Sequence, residues 1–109
     1  MTNWARYQKE LWGYEVIETE HGFVTYADLG EAVWVVDCWV DPDFRREGLA
    51  KSLVHQVETR ARTAGKQRLL ARIDVTQARP ESSLQAQLAY GFVPFSADQG
   101  KIWLRRELV

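Results

Sequence analysis

The chain has 109 residues, with 14 Lys and Arg set against 15 Asp and Glu for a formal charge of −1. That length suits one hydrophobic core in one domain, residues 1–109, able to fold without disulfides or a structural metal. The near-neutral balance leaves no global field to hold nucleic acid or an anionic membrane, and no apolar run approaches a signal core or a membrane span. The lone Cys38 excludes an internal disulfide, so a cytoplasmic location is expected. Among the five tryptophans, Trp34 and Trp39 lie in the most apolar segment, and most of the five are expected in the core or on a sheet face.

Residues 1–13 mix Trp4, Tyr7, Leu11 and Trp12 with polar side chains, the pattern of a short helix or an arm laid over the core. Tyr14 to Thr19 and Phe23 to Leu29 read as strands joined by a hairpin at Glu20-His21-Gly22, and Gly30-Glu31 makes the next turn. Ala32 to Val40 is apolar at both parities except for Asp37, which predicts a central strand covered on both faces. From Leu49 the period becomes helical. Leu49, Leu53, Val57 and Ala61, with Ala50, Val54 and Ala64, fall on an arc of roughly 140°. Lys51, Ser52, His55, Glu58, Thr59 and Arg62 occupy the opposite side, and Gly65 is a left-handed stop. Arg68 to Val75 returns as a strand, parallel to Ala32–Val40 through the helical crossover. Pro80 opens a second helix running to Tyr90, with Leu84 and Leu88 on one face and Gly91 as its stop. Phe92 to Phe95 and Ile102 to Leu108 form a closing pair of strands. There is no repeat, linker or low-complexity segment.

The link between the central strand and the first long helix, Val40-Asp41-Pro42-Asp43-Phe44-Arg45-Arg46-Glu47-Gly48-Leu49-Ala50, carries the chemistry. Gly48 and Ala50 let a ligand approach main chain that larger side chains would shield. The first N–H groups of the helix have no intrahelical acceptors, and the helix dipole adds partial positive charge behind them. A strand, a small-residue turn and a helix start in this order make an anion site of the kind that cradles phosphates.

Arg45-Arg46-Glu47-Gly48-Leu49-Ala50 in this context resembles the Arg/Gln-x-x-Gly-x-Gly/Ala signature of the GNAT superfamily, the acyl-CoA-dependent N-acetyltransferases. The strand before it ends in Val40-Asp41-Pro42, and Tyr90-Gly91-Phe92 falls at a helix-to-strand junction where such proteins carry a Gly-Phe. The resemblance covers Ala32 to Phe95 and extends to the final strand. It implies an α/β (α+β) fold with a mixed, mostly antiparallel sheet, a central parallel pair and helices packed on it. It also implies acetyl-CoA as acyl donor and a primary amine as acceptor. The backbone N–H groups of Arg46, Glu47, Gly48, Leu49 and Ala50 would hold the pyrophosphate of coenzyme A, assisted by Arg45, Arg46 and Lys51. The main chain of Cys38, Trp39 and Val40 would pair with the pantetheine arm, and the thioester would lie where the two parallel strands splay apart. Glu47 opposes an anion and suits the helix dipole equally well, so it takes no catalytic role.

Attack of an amine on a thioester needs the neutral amine, and deprotonating a lysine-like group at pH 7 costs about 4–5 kcal/mol. Asp37 is the candidate base. It is the only charged side chain of the central strand, and related sequences often carry Asp or Glu just before the Leu-Tyr-Val-like triplet that Cys38-Trp39-Val40 replaces. Its alternative role is a structural carboxylate near the strand end. The family's general-acid Tyr, four residues before the Gly-Phe, falls at Gln87, and its Asn position falls around Pro80. Tyr90, Ser82, Ser83 or water are the alternatives. Cys38 reads as a small core residue ahead of a nucleophile, and His21 and His55 as solvated. No His/Cys cluster has ligand spacing, so no metal is expected. Arg60, Arg62, Lys66, Arg68, Arg72 and Arg79 read as solvated rather than as a nucleic-acid surface.

The helices that the family commonly inserts between its first two strands are missing or reduced to residues 1–13, so an open acceptor cleft is expected. Such a cleft suits a protein lysine or N-terminus better than a small-molecule amine. The alternative is a domain that has lost catalysis and binds acyl-CoA or a protein partner, favoured by Gln87 in place of Tyr. An open strand edge or an exposed tryptophan patch would favour a homodimer, which the sequence leaves open.

Overall fold

The computed structural model describes residues 1–109. Thr2 caps the first helix, α1 (Asn3–Trp12), by accepting the N–H of Ala5 on its side-chain oxygen at 3.1 Å. Three strands follow, β1 (Glu15–Thr19), β2 (Gly22–Asp28) and β3 (Ala32–Val40), then α2 (Leu49–Thr63) and β4 (Arg68–Asp74). Helix α3 (Pro80–Tyr90) and the hairpin β5 (Val93–Asp98) and β6 (Lys101–Glu107) complete the chain. The six strands lie in the order β1-β2-β3-β4-β6-β5, and only β3 and β4 are parallel. This is the mixed sheet that the strand-helix-strand crossover predicted.

The strand ends differ from expectation by a few residues. The last hairpin is longer on both sides than Phe92–Phe95 and the start at Ile102 implied, because Gln99 and Gly100 both adopt left-handed φ, 52° and 77°. Two such residues make a tight turn whose twist matches the flanking strands, so pairing runs up to Asp98 and Lys101.

One face of the sheet carries the core. Val24, Val33, Val35, Leu69, Ala71 and Leu104 meet Leu53, Val57 and Ala61 of α2, with Phe92 sealing the end of α3. Leu53, Val57, Leu69 and Leu104 are fully buried. The opposite face is covered only in part, by α1 and by aromatic side chains. Trp4 meets Phe23 edge-on at 4.6 Å between ring centroids, and Tyr14 meets Trp34 at 6.1 Å. The expectation that β3 is covered on both faces is therefore corrected: Asp37, Cys38 and Trp39 are exposed. No tryptophan enters the buried core, since Trp39 keeps 45% of its surface and Trp12 60%. The apolar count of β3 reflects an aromatic open face rather than a second covered layer.

Two further positions depart from the helical wheel. Glu58, assigned to the polar arc of α2, is buried, with 6% of its surface exposed. Its carboxylate accepts hydrogen bonds from Arg106 Nε at 2.9 Å, Arg62 Nε at 3.1 Å and the Tyr90 hydroxyl at 2.9 Å, tying α2 to α3 and β6. Burial alone would raise this carboxyl, but the hydrogen bonds from Arg106, Arg62 and Tyr90 outweigh it and hold the group below its usual range. In α3, Leu84 packs on the core but Leu88 is 47% exposed, so the expected two-leucine face is only half used.

Candidate functional site

Two irregularities in β3 build the site. Thr25 pairs with Asp37 and Tyr26 with Val35, which leaves Val36 as the extra residue of a β-bulge. The N–H of Asp37 donates instead to the buried Thr25 side-chain oxygen at 3.1 Å. The bulge shifts parity, so Val33 and Val35 and then Cys38 and Val40 lie toward α2, while Trp34, Asp37 and Trp39 lie on the open face. Second, β3 and β4 pair only from Ala32 with Arg68 to Val35 with Ala71. Beyond that point β3 continues along β2 and β4 along β6, and the sheet opens into a wedge between them.

At the mouth of the wedge on the α2 side lies a cavity of about 620 Å³, a size typical of small-ligand and cofactor sites. Its walls are the end of β3, the turn into α2 and one face of α3. Cys38, Trp39, Val40, Arg45, Arg46, Gly48, Leu49, Ala50 and Lys51 all line it. Glu47 does not, and Asp37 lies across the wedge on the opposite sheet face. Phe44, Val54, Ala78, Arg79, Ser82, Ser83, Ala86, Gln87, Ala89 and Tyr90 complete the lining. The α3 wall was legible in part: Ser82, Ser83, Ala86 and Ala89 are small residues at helical spacing, which give that helix a low-relief face.

The turn is locked from several sides. Gly48 has φ 81° at the N-cap of α2, and Arg46 also takes a left-handed φ of 67°. Arg45 Nε donates to the Val40 carbonyl at 2.9 Å, closing the end of β3 onto the turn. His21, expected to be solvated, instead stacks on Phe44 with ring planes 9° apart. Gly22 beside it is required by packing, because a Cβ there would sit 2.5 Å from the Trp39 carbonyl oxygen. Around the cavity, Arg46, Lys51 and Arg79 form no ion pair, so three cations and the free N–H groups of α2 face the same space.

The ionisable side chains divide by environment. Burial raises the Asp37 carboxyl above its ordinary range, with Arg72 acting in the opposite direction. Cys38 is not the core residue expected of an apolar strand: it is exposed as a residue but lines the cavity wall, where desolvation of the thiol and then Asp37 push it up to about 11. Such a thiol is almost wholly protonated at neutral pH and is a poor nucleophile. Alkylation of Cys38 by iodoacetamide at pH 7.5 (~) should run at least about 10-fold slower than that of a free thiol, with the rate rising toward pH 11. Labelling as fast as free cysteine, followed by mass spectrometry, would refute this. Burial and then the Glu58 carboxylate push the Tyr90 hydroxyl up to about 12. Its proton is committed to Glu58, and Gln87, which lines the same cavity, has no acidic proton. No group of three or more His, Cys, Asp or Glu side chains is placed to hold a metal ion, and no helix is long and apolar enough to cross a membrane.

The mixed sheet with one parallel pair, its wedge and the phosphate-type turn at α2 define the class of α/β fold, and sequence comparison gives the family. The acetyltransferase (GNAT) family model matches residues 3–82. The chain belongs to the GNAT acetyltransferase family. Among solved structures, a GNAT family acetyltransferase from Elizabethkingia anophelis with acetyl-CoA bound has a TM-score of 0.76 and 16% identity, over 94% of this chain and 82% of that one. YncA from Salmonella typhimurium with its cofactor acetyl-CoA has a TM-score of 0.68 and 20% identity, over 94% and 69%. PaiA N-acetyltransferase from Thermoplasma acidophilum, in complex with coenzyme A, has a TM-score of 0.73 and 11% identity, and this chain covers only 53% of its length. At these identities the likeness establishes the fold. No curated protein matches the sequence.

Proposed function

We propose that this chain is an N-acetyltransferase that moves an acetyl group from acetyl-CoA to a primary amine, a protein lysine or N-terminus, by direct attack in a ternary complex. The observation that carries this reading is the cavity at the α2 N-terminus, rimmed by Arg46, Lys51 and Arg79 and opening into the β3–β4 wedge. Family membership and the neighbours that hold coenzyme A or acetyl-CoA support it. The pyrophosphate lies on the N–H groups of the turn, and the pantetheine follows the unpaired side of β3 at Cys38 to Val40. The thioester then reaches the wedge, and the acceptor enters from the open face where Asp37 stands.

The amine nitrogen attacks the thioester carbonyl carbon, forming C–N. Asp37 takes the amine proton directly or through one water, and C–S breaks to release the coenzyme A thiolate. That thiolate is weakly basic, near the ordinary thiol range of about 8.5, and takes its proton from water without a dedicated acid. Backbone N–H groups along β3 are suited to stabilise the carbonyl oxygen as charge develops.

Transfer from acetyl-CoA to lysine and N-terminal peptides, read by mass spectrometry, is the test. Asp37→Asn should lower kcat/KM by about 10²–10⁴-fold, the usual contribution of a general base. Because the Asp37 carboxyl is raised, the wild-type rate should fall as pH drops through a value above the usual carboxylate range, and Asp37→Asn should lack that limb. Equal rates for both proteins would remove Asp37 from the chemistry. A second reading, an acyl-CoA-binding module without catalysis, is favoured by Gln87 and by the commitment of Tyr90 to Glu58. Tight acetyl-CoA binding with no transfer to any amine would select it.

A further inference from the structure

The open face of the wedge carries two opposite charges that the protein itself leaves unpaired. Asp37 projects from the β3 side, and its carboxylate accepts no hydrogen bond within the chain; only its main-chain N–H is engaged, by Thr25. Arg72 projects from the β4 side. Its guanidinium rests over a pair of adjacent indoles, 5.2 Å from the Trp34 ring and 5.5 Å from the Trp103 ring, and it makes neither an ion pair nor a hydrogen bond. The neighbouring Asp74 makes no ion pair with it: its Oδ1 accepts from the Thr76 N–H at 2.9 Å and the Thr76 hydroxyl at 2.6 Å, and Arg72 acts on that carboxylate only as a minor, longer-range charge.

An exposed arginine is ordinarily mobile and hydrated. The two indoles beneath this one hold it by cation–π attraction while leaving its N–H groups free, and those are the donors that match a carboxylate bidentately. Trp34 and Trp103 are only 5.5 Å apart between centroids, and Tyr14 abuts Trp34, so the aromatic platform under Arg72 is built from several elements. Paired strands lie about 4.8 Å apart, and β3 and β4 have begun to diverge here. Asp37 and Arg72 flank the gap from its two sides, near enough for Arg72 to act on the Asp37 carboxyl, so an acceptor lying across it meets both charges.

We infer that the acceptor of this site carries a carboxylate a few bonds from its reactive amine, the ammonium docking on Asp37 and the carboxylate on Arg72. This rests on the acetyltransferase reading: a polypeptide source narrows the protein acceptor proposed above to an N-terminus, and a free amino acid would replace that acceptor by a small one. Two sources supply that chemistry: a free amino acid, or a polypeptide whose first residues include Asp or Glu. Trp34 and Trp103 act as positioning residues for Arg72.

The experiment compares kcat/KM of the full chain for matched acceptors: free amino acids against their α-carboxamides, and peptides with Asp or Glu at the first two positions against Asn or Gln. The carboxylate member of the productive pair should be preferred at least ~10-fold, as expected for a charge-assisted bidentate contact. In Arg72→Gln the preference should collapse toward one, with Arg72→Lys intermediate and acetyl-CoA affinity unchanged. The productive pair identifies the source. Equal wild-type rates for carboxylate and amide, or a preference that survives in Arg72→Gln, would overturn the proposal while leaving the acetyltransferase reading intact. No acetylation of any amine by a protein that binds acetyl-CoA would overturn both. The wild-type comparison stands even if a variant fails to fold.

Discussion

Glu58→Ala is expected to lower the stability of the fold by about 2–4 kcal/mol at pH 7, the scale for removing one side of a buried, charge-assisted network. The reason lies in what Glu58 joins. Its side chain is 7% exposed and receives donors from α2 itself, from α3 and from β6. Without it, the Tyr90 hydroxyl loses its acceptor, and Arg106 is left beside Gly91 and the Tyr90 ring, 5.3 Å from that ring. Glu58→Gln should cost less, because it keeps the volume and one acceptor. Tyr90→Phe, which leaves both arginines in place, should cost about 1 kcal/mol. Thermal and urea unfolding give these values, and an alanine variant within about 0.5 kcal/mol of wild type would mean that water replaces the network without penalty.

The same group sets an acid dependence with a definite sign. The folded-state carboxyl is held below the ordinary glutamate value of 4.5. Its contribution is therefore fully present above about pH 4.5 and is lost as pH falls from there through the lowered folded value. The stability gap between wild type and Glu58→Ala should narrow over that window. A gap that stays constant down to full protonation would show that the charge contributes nothing.

Gly48→Glu is expected to weaken acetyl-CoA binding by about 30–100-fold in a calorimetric titration, the equivalent of roughly 2–3 kcal/mol of repulsion near the pyrophosphate. A Cβ at Gly48 meets nothing within 4 Å, so the substitution fits sterically. Its backbone cost comes from φ 81°, a conformation that asparagine tolerates well. Gly48→Asn adds a side chain without the charge, so it should lose less than Gly48→Glu, and the difference between the two reports the repulsion. Equal losses in both variants would trace the effect to the turn's conformation, and no loss in either would remove the turn as the phosphate cradle.

Residue pattern alone carried the architecture. The switch from strand alternation to a helical period at Leu49, the stops at Gly65 and Gly91 and the apolar strands on either side of α2 each report local backbone preference and burial. Those properties are written in neighbouring residues. The turn from Arg45 to Ala50 was legible for the same reason, since left-handed backbone and close approach demand small residues at fixed positions. Pairing decided the rest. Val36 becomes a bulge only because Thr25 supplies an oxygen to Asp37 from another strand, and that bulge puts Asp37 on the face opposite Cys38. Glu58 sits on the polar arc of α2 in the wheel. It is buried because two arginines and a tyrosine, two of them from distant elements, converge on it. Arg72 reads as one more solvated cation in the sequence, and only the sheet brings Trp34 and Trp103 together beneath it. A periodicity records how one segment divides between water and protein. Which side chains meet across segments depends on register and twist, and these are set only when the whole sheet assembles.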